Sequence, residues 1–391
     1  MIQNNQLLTR AVEQVLPSKE SLEKLMSQRP IKVYLGIDPT GSLLTLGHSI
    51  VLRKLQAFAN AGHEAILLIG NGTVMIGDPT GKDTTRPELT VAQIEANFKD
   101  WQVQASKILD FKKIKIVRNY DWLSKLTYAD MIKLLAKTTV QQLLERDMFQ
   151  ERLKANRPIH GHEIIYPLIQ GFDSVELEVD LELGGTDQTF NMMMGRNLLK
   201  AYKNREKWVL TTPIINGTDG RKMSKSFNNF VALTDEPNDM YGKLMSITDE
   251  QIIPYFELLT DVPMAEIEAM KAEISGGENP MTFKKKLALE ITKMYHSADQ
   301  AQAAQENFEA TVQSGQAVKE LQVSQSKLSV LDLAKLAQPQ ESNSQLRRVI
   351  EQGGVQLDGE KLTDPYQEIK IRSGSQLKVG KRNLFKIKIK K

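Results

Sequence analysis

The segment from Ile31 to Val117 alternates strand and helix patterns, and that alternation constrains the fold most tightly. IKVYLGI (31–37) reads as a strand. The helix expected after His48 places Val51, Leu55 and Phe58 at i, i+4 and i+7, one apolar stripe. EAILLIG (64–70) reads as a second, buried strand. From Val91 the apolar positions 91, 94, 98, 101, 105 and 108 predict an amphipathic helix, and IKIV (114–117) a third strand. Strand, helix, strand, helix, strand predicts a parallel sheet with right-handed crossovers. Nucleotides bind such sheets at the carboxyl ends of the strands, and position 38 is such an end.

The chain has 391 residues, enough for two or three domains. From about 236 to 308 the pattern is helical. TVQSGQAVKELQVSQSK (311–327), rich in Gln and Ser, reads as a linker. The last section, 328–391, changes character. SVLDLAKLA is a short helix, Ser344 is expected to cap a second one (QLRRVIEQ), and VQLDGEKL is a hairpin turning at Asp358-Gly359.

Composition excludes several classes. With 41% hydrophobic and 25% charged residues the chain is globular, and no apolar run reaches the roughly 18 residues of a membrane span. Cysteine is absent, which removes disulfides, thiolate zinc sites and a cysteine nucleophile. The opening MIQNNQLLTRAVEQVL lacks the basic start and apolar centre of a signal peptide, so a cytoplasmic location is expected. A net charge of +3 decides nothing, but the final KRNLFKIKIKK carries six cations and no acid. That end suits either a charged edge strand or a nucleic-acid surface.

Three loops carry candidate chemistry. DPTGSLLTLGHS (38–49) runs from a strand end into a helix start, which is either a plain cap or an anion seat made of free N–H groups. IGDPTGKDTTRPEL (76–89), in which Asp78 is expected to end a strand, offers Lys82 and Arg86. It is a solvated loop or one that closes over a polyphosphate. GTDGRKMSKSFNN (217–229) presents Lys222 and Lys225 on a glycine-containing loop. In YPLIQGFDSVEL, Tyr166, Gln170 and Asp173 lie at i, i+4 and i+7 on one helix face, either solvated or satisfied by a ligand. HGHE (160–163), read as a strand, would put His160 and His162 on one side, but no third ligand is evident and no metal is expected. His162 would then support the adjacent pocket.

KMSKS (222–226) is identical to the second signature of the class I aminoacyl-tRNA synthetases, and TLGH (45–48) resembles their first, which ends in Gly-His at a helix start. With YLGIDPT, IGDPTGK, YPLIQGFD and LGGTDQTFN, the chain closely resembles the bacterial tyrosyl-tRNA synthetases from residue 31 to its end. The resemblance implies an α/β architecture in four parts. These are a Rossmann-like parallel-sheet catalytic domain (1–220) that also carries a homodimer interface, the KMSKS loop with a helical domain (221–310), the linker (311–327), and a small α+β S4-like RNA-binding domain (328–391). It implies L-tyrosine, ATP with Mg2+, and tRNA-Tyr as substrates, with no tightly bound cofactor and no membrane. Tyr34 and Asp173 would meet the phenol; Asp78, Tyr166 and Gln170 the ammonium group; Gln188 the carboxylate. Gly36, Asp38, Gly47, His48, Gly185, Asp187 and Lys225 would hold ATP. Thr40, Thr45, His48, Lys82, Arg86, Lys222 and Lys225 would act on the phosphates, and Lys335, Arg347, Arg348 and Lys361 on RNA. The family has His where this chain has Thr45, a shorter donor that is never cationic. The resemblance leaves two other readings: a tryptophanyl relative, disfavoured by Tyr34 with Asp173, and a weakened paralogue that mainly binds RNA.

Overall fold

The computed structural model describes residues 6–80, 89–225, 227–313, 318–325, 327–380 and 383–389. The chain divides into two compact units, residues 1–301 and 302–391. The first is built on a six-stranded sheet of β1 (Gln14–Leu16), β2 (Lys32–Ile37), β3 (Glu64–Ile69), β4 (Ile114–Arg118), β5 (Leu181–Gly185) and β6 (Trp208–Thr212), ordered β1-β6-β5-β2-β3-β4. All neighbours are parallel except β1, which runs antiparallel to β6 along one edge. The three strands and two helices expected between 31 and 117 are present, the helices as Leu46–Asn60 and Val91–Ala105. Val91 itself is exposed; the buried stripe begins at Ile94 and runs through Phe98, Trp101 and Ala105.

The apolar runs are long because β3 is buried on both faces, as parallel strands with covering helices are. From β2 the chain moves outward to β3 and β4, then returns on the other side of β2 as β5. The order therefore reverses between β2 and β5, which opens a crevice at their carboxyl ends. Helix Gly161–Leu177 packs against helix Thr189–Lys203 over that crevice. A Cβ added at Gly171 would come within 3.0 Å of the Gly195 backbone nitrogen, so two glycines set how closely the helices approach. The buried Arg152 guanidinium grips Glu163 with two 2.9 Å hydrogen bonds, and Glu163 accepts from the His160 backbone N–H, fixing the start of the first of these helices. Residues 160–163 are thus a helix start and not a strand. His160 is its N-cap, and His162 points to solvent away from the pocket. Helices continue from Pro237–Met245 to Ala298–Gln313.

The second unit holds a sheet ordered β10-β9-β12-β13-β7, formed by β7 (Val318–Val323), β9 (Val355–Leu357), β10 (Glu360–Leu362), β12 (Gln376–Val379) and β13 (Asn383–Ile389), and a two-stranded antiparallel pair of β8 (Lys327–Ser329) and β11 (Glu368–Lys370). Its core includes Val330, Leu333, Leu346, Ile350 and Leu377. Residues 318–323, read above as linker, are a strand paired in parallel with β13; the alternation in VKELQV, diluted by polar residues, is what the composition concealed. The second helix of this unit begins two residues earlier than expected. Ser342, not Ser344, is its N-cap and accepts from the Gln345 N–H. The β9–β10 hairpin turns at Asp358 (φ 51°) and Gly359 (φ 89°), as the Asp-Gly pair requires. No described helix is long and apolar enough to cross a membrane.

Candidate active site

A cavity of about 240 Å³ fills the crevice between β2 and β5. Its floor is polar and already hydrogen-bonded. Asp173 is buried; one carboxylate oxygen accepts from Trp122 Nε1 at 2.9 Å, the other from Asn119 Nδ2 at 3.2 Å. Burial holds its carboxyl well above the usual carboxylate range, against those two donors. Tyr34, 1% exposed, hydrogen-bonds Ser174 Oγ at 3.0 Å. Burial first, then Glu182 and Asp173, push its phenol well up, so it is a neutral hydrogen-bonding group. The expected stripe of Tyr166, Gln170 and Asp173 faces this cavity.

Tyr166 Oη donates to Asp38 Oδ2 at 2.7 Å, and Thr73 Oγ1 donates to Asp38 Oδ1 at 2.7 Å. Asp78 does not end a strand. It follows the short helix Thr73–Ile76 through Gly77, whose φ of 82° turns the chain into the cavity. There its Oδ2 accepts from Gln188 Nε2 at 2.8 Å. Asn191 donates to both Gln170 Oε1 and Gln188 Oε1 at 3.0 Å. Gln188, Gly185, Gly36 and Thr40 complete the wall toward the mouth, where Lys225 lies.

His48, half-buried on the first turn of helix Leu46–Asn60, faces the same space. The Thr45 backbone N–H donates to its Nδ1 at 3.1 Å. A backbone N–H can only donate, so Nδ1 is an acceptor and the ring proton sits on Nε2. Burial, reinforced by Lys225, lowers the His48 pKa to about 4, so the ring is neutral at ordinary pH. The Thr45 hydroxyl lies 2.9 Å from the same Nδ1. Thr45 is the helix N-cap, and it meets His48 rather than lining the cavity. Gly47 is likewise not part of the cavity wall; a Cβ there would make ordinary contact with Met223. Leu46 N–H bonds to the Val231 carbonyl at 3.0 Å and Leu233 N–H to that of Leu44 at 2.9 Å, which ties the first signature to the chain just beyond KMSKS.

Lys222 is exposed and paired to Asp187 at 3.3 Å, so these two meet each other outside the cavity lining. Lys82 and Arg86 lie outside the described residues. In the second unit Arg347, Arg348 and Lys361 are exposed, with Arg347 5.4 Å from the centre of the Tyr366 ring. Lys335 donates to the Glu341 carbonyl at 2.5 Å. Sequence reasoning missed Asn119, Trp122, Thr73, Ser174, Glu182 and Lys207. The last two carried one signal: single charges set against otherwise apolar strands, LELGG and KWVLTT.

The His48 shift gives a pH expectation. Between the ordinary 6.5 and about 4 the unfolded chain binds the proton that the folded ring refuses, so stability falls as pH drops through this window and this contribution is exhausted below it. His48→Gln is expected to flatten that limb of a Tm–pH curve relative to wild type. Superimposable slopes would refute the assignment.

A profile described as tRNA synthetases class I (W and Y) matches residues 26–313. The chain is 44% identical to a tyrosine–tRNA ligase of Symbiobacterium thermophilum, over 98% of this chain and 97% of that one. It is 42% identical to one of Thermotoga maritima, over 97% and 96%. In fold it is similar to a C-terminally truncated mitochondrial tyrosyl-tRNA synthetase of Coccidioides posadasii (TM-score 0.63, 23% identity, 77% of this chain and 90% of that one). It is also similar to the L-tyrosine complex of a tyrosyl-tRNA synthetase from Archaeoglobus fulgidus (TM-score 0.61, 22% identity, 77% and 98%).

Proposed function

The chain belongs to the class I tRNA synthetases (W and Y), and from that premise we infer that it is a tyrosine–tRNA ligase. The observation that carries tyrosine over tryptophan is the pairing of Tyr34 and Asp173 at the closed end of the cavity, two buried polar groups that a phenol satisfies. In the first step the tyrosine carboxylate attacks the α-phosphorus of ATP and pyrophosphate leaves. In the second a ribose hydroxyl at the tRNA 3′ end attacks the acyl carbon and AMP leaves. The carboxylate is already ionised, so alignment and charge stabilisation are the enzyme's task.

Tyr166, Gln170 and Asp78 hold the ammonium group, and Gln188 the carboxylate. Gly36, Asp38, Gly185 and Asp187 seat the adenosine. Thr40, neutral His48 through its Nε2–H, and Lys225 meet the phosphates; Lys222 joins them by leaving Asp187, and Mg2+ accompanies ATP as part of that substrate. Arg347, Arg348, Lys361 and Lys335 form an RNA-binding face of the second unit, with Tyr366 available for stacking. Exposed apolar side chains at Tyr128, Ile132, Val140 and Leu153 support a homodimer joined through this part of the first unit. The cytoplasm, where tRNA and ATP meet, is the location this reading requires.

Pyrophosphate exchange run with each of the twenty amino acids tests the proposal. Exchange with tyrosine alone is the expected result. Exchange with tryptophan instead, or tRNA binding by folded protein without any exchange, would overturn it.

A further inference from the structure

At the cavity floor, where Glu182 is part of the lining, lies an ion pair that the reaction itself does not use. Lys207, immediately before β6, is fully buried and its ammonium contacts the Glu182 carboxylate, itself buried on β5. The same ammonium donates to Ser174 Oγ at 2.8 Å, and Ser174 Oγ lies 3.0 Å from Tyr34 Oη. The space for it is made by Gly195, where a Cβ would fall 2.7 Å from both Lys207 Nζ and Ser174 Oγ. We propose that Lys207, held by Glu182, is a positioning residue that fixes the direction of the hydrogen-bond chain reaching the substrate's para position, and so sets selectivity for a phenol. The proposal rests on the tyrosine reading above.

The direction follows from donor inventory. An ammonium has three donors and no acceptor, so Ser174 Oγ must accept from Lys207. The one hydroxyl proton of Ser174 then goes either to Tyr34 Oη at 3.0 Å or to Glu182 Oε2 at 3.5 Å. With Lys207 neutralising Glu182, the shorter contact prevails and Ser174 donates to Tyr34. Tyr34 therefore keeps its own O–H, which Glu182 also attracts, to offer to a phenol oxygen in the cavity. At the far end Asp173 accepts from Trp122 on one oxygen and from Asn119 on the other; both donors favour its ionised form, which presents only lone pairs, although burial opposes it. A ligand that accepts from Tyr34 and donates to Asp173 completes a chain running one way from cation to carboxylate. A phenol does both; a phenyl ring does neither.

Removing Lys207 releases the first links. Ser174 no longer has to accept from an ammonium, its proton can turn to the side chain at 182, and Tyr34 can donate to Ser174, so that two acceptors face a phenol that has one proton. The test is the exchange assay with tyrosine and phenylalanine on K207M/E182Q, which removes both charges together, alongside S174A, which keeps the ion pair and cuts the chain one link later. Each variant is expected to lower kcat/KM for tyrosine about tenfold to a hundredfold, the scale of a hydrogen bond to a charged group. The loss falls on the tyrosine KM, with the ATP KM unchanged; phenylalanine is unchanged in S174A and falls less than tyrosine in the double variant, where E182Q also alters the acceptor of Gln170 Nε2. If the double variant does not fold, S174A decides. A folded variant that keeps the wild-type tyrosine-to-phenylalanine ratio, or that loses both activities equally, overturns the proposal. Wild-type protein inactive with tyrosine would instead overturn the ligase reading beneath it.

Discussion

Asp173→Ala is expected to lower kcat/KM for tyrosine roughly a hundredfold and to leave activation of phenylalanine nearly unchanged. The carboxylate is buried, and two neighbours, Trp122 Nε1–H and Asn119 Nδ2–H, are committed to it. A phenol proton donated to it makes a charge-assisted bond worth about 3 kcal/mol, the upper end for such contacts, and alanine removes that bond. Phenylalanine has no such proton, so it loses no bond to Asp173. Parallel exchange assays with the two amino acids check this. The two orphaned donors will also cost stability, so a melting curve must show the variant folded at the assay temperature. Equal losses with both amino acids would mean that Asp173 supports the fold and does not read the phenol.

The contrast between Asp173 and its partners shows what the sequence could display. Tyr166, Gln170 and Asp173 were legible because one helix sets their spacing, and a 3.6-residue period is visible in one dimension. Trp122 and Asn119 come from the segment after β4, and Lys207 from the start of β6; only strand order brings them under the same floor. Once the order is known, register explains the rest. Tyr34 on β2 stands opposite Glu182 on β5, so their side chains leave the sheet on the same face. Thr45 lies outside the cavity lining for a related reason. Its place in the first signature suggests a group aimed at the nucleotide, but as N-cap its hydroxyl is within reach of the residue three further on, which is His48. The same logic hid β7, whose partner β13 lies more than sixty residues away in the chain.

Lys225→Ala is expected to reduce kcat for adenylate formation about a hundredfold to a thousandfold, the loss that follows removal of one group aimed at developing charge, with the tyrosine KM little changed. Lys225 stands at the cavity mouth, its ammonium 3.5 Å from where a Cβ on Gly41 would be, and close enough to His48 to help depress that ring's pKa. It thus faces the tip of the first signature from the second, and phosphates entering between them would meet a cation on one side and the His48 Nε2–H on the other. Its neighbours here are His48 and the turn at Gly41 and not the Tyr34–Asp173 pair, so tyrosine affinity should survive. Lys222 is the internal control. It begins in an exposed pair with Asp187, and surface pairs of this kind are worth about 0–1 kcal/mol, so its departure toward phosphate costs little and its removal should also slow the reaction. A single-turnover measurement of tyrosyl-adenylate formation reads the chemical step directly. If Lys225→Ala raises the tyrosine KM while the single-turnover rate holds, the lysine belongs to amino-acid binding and not to the phosphates.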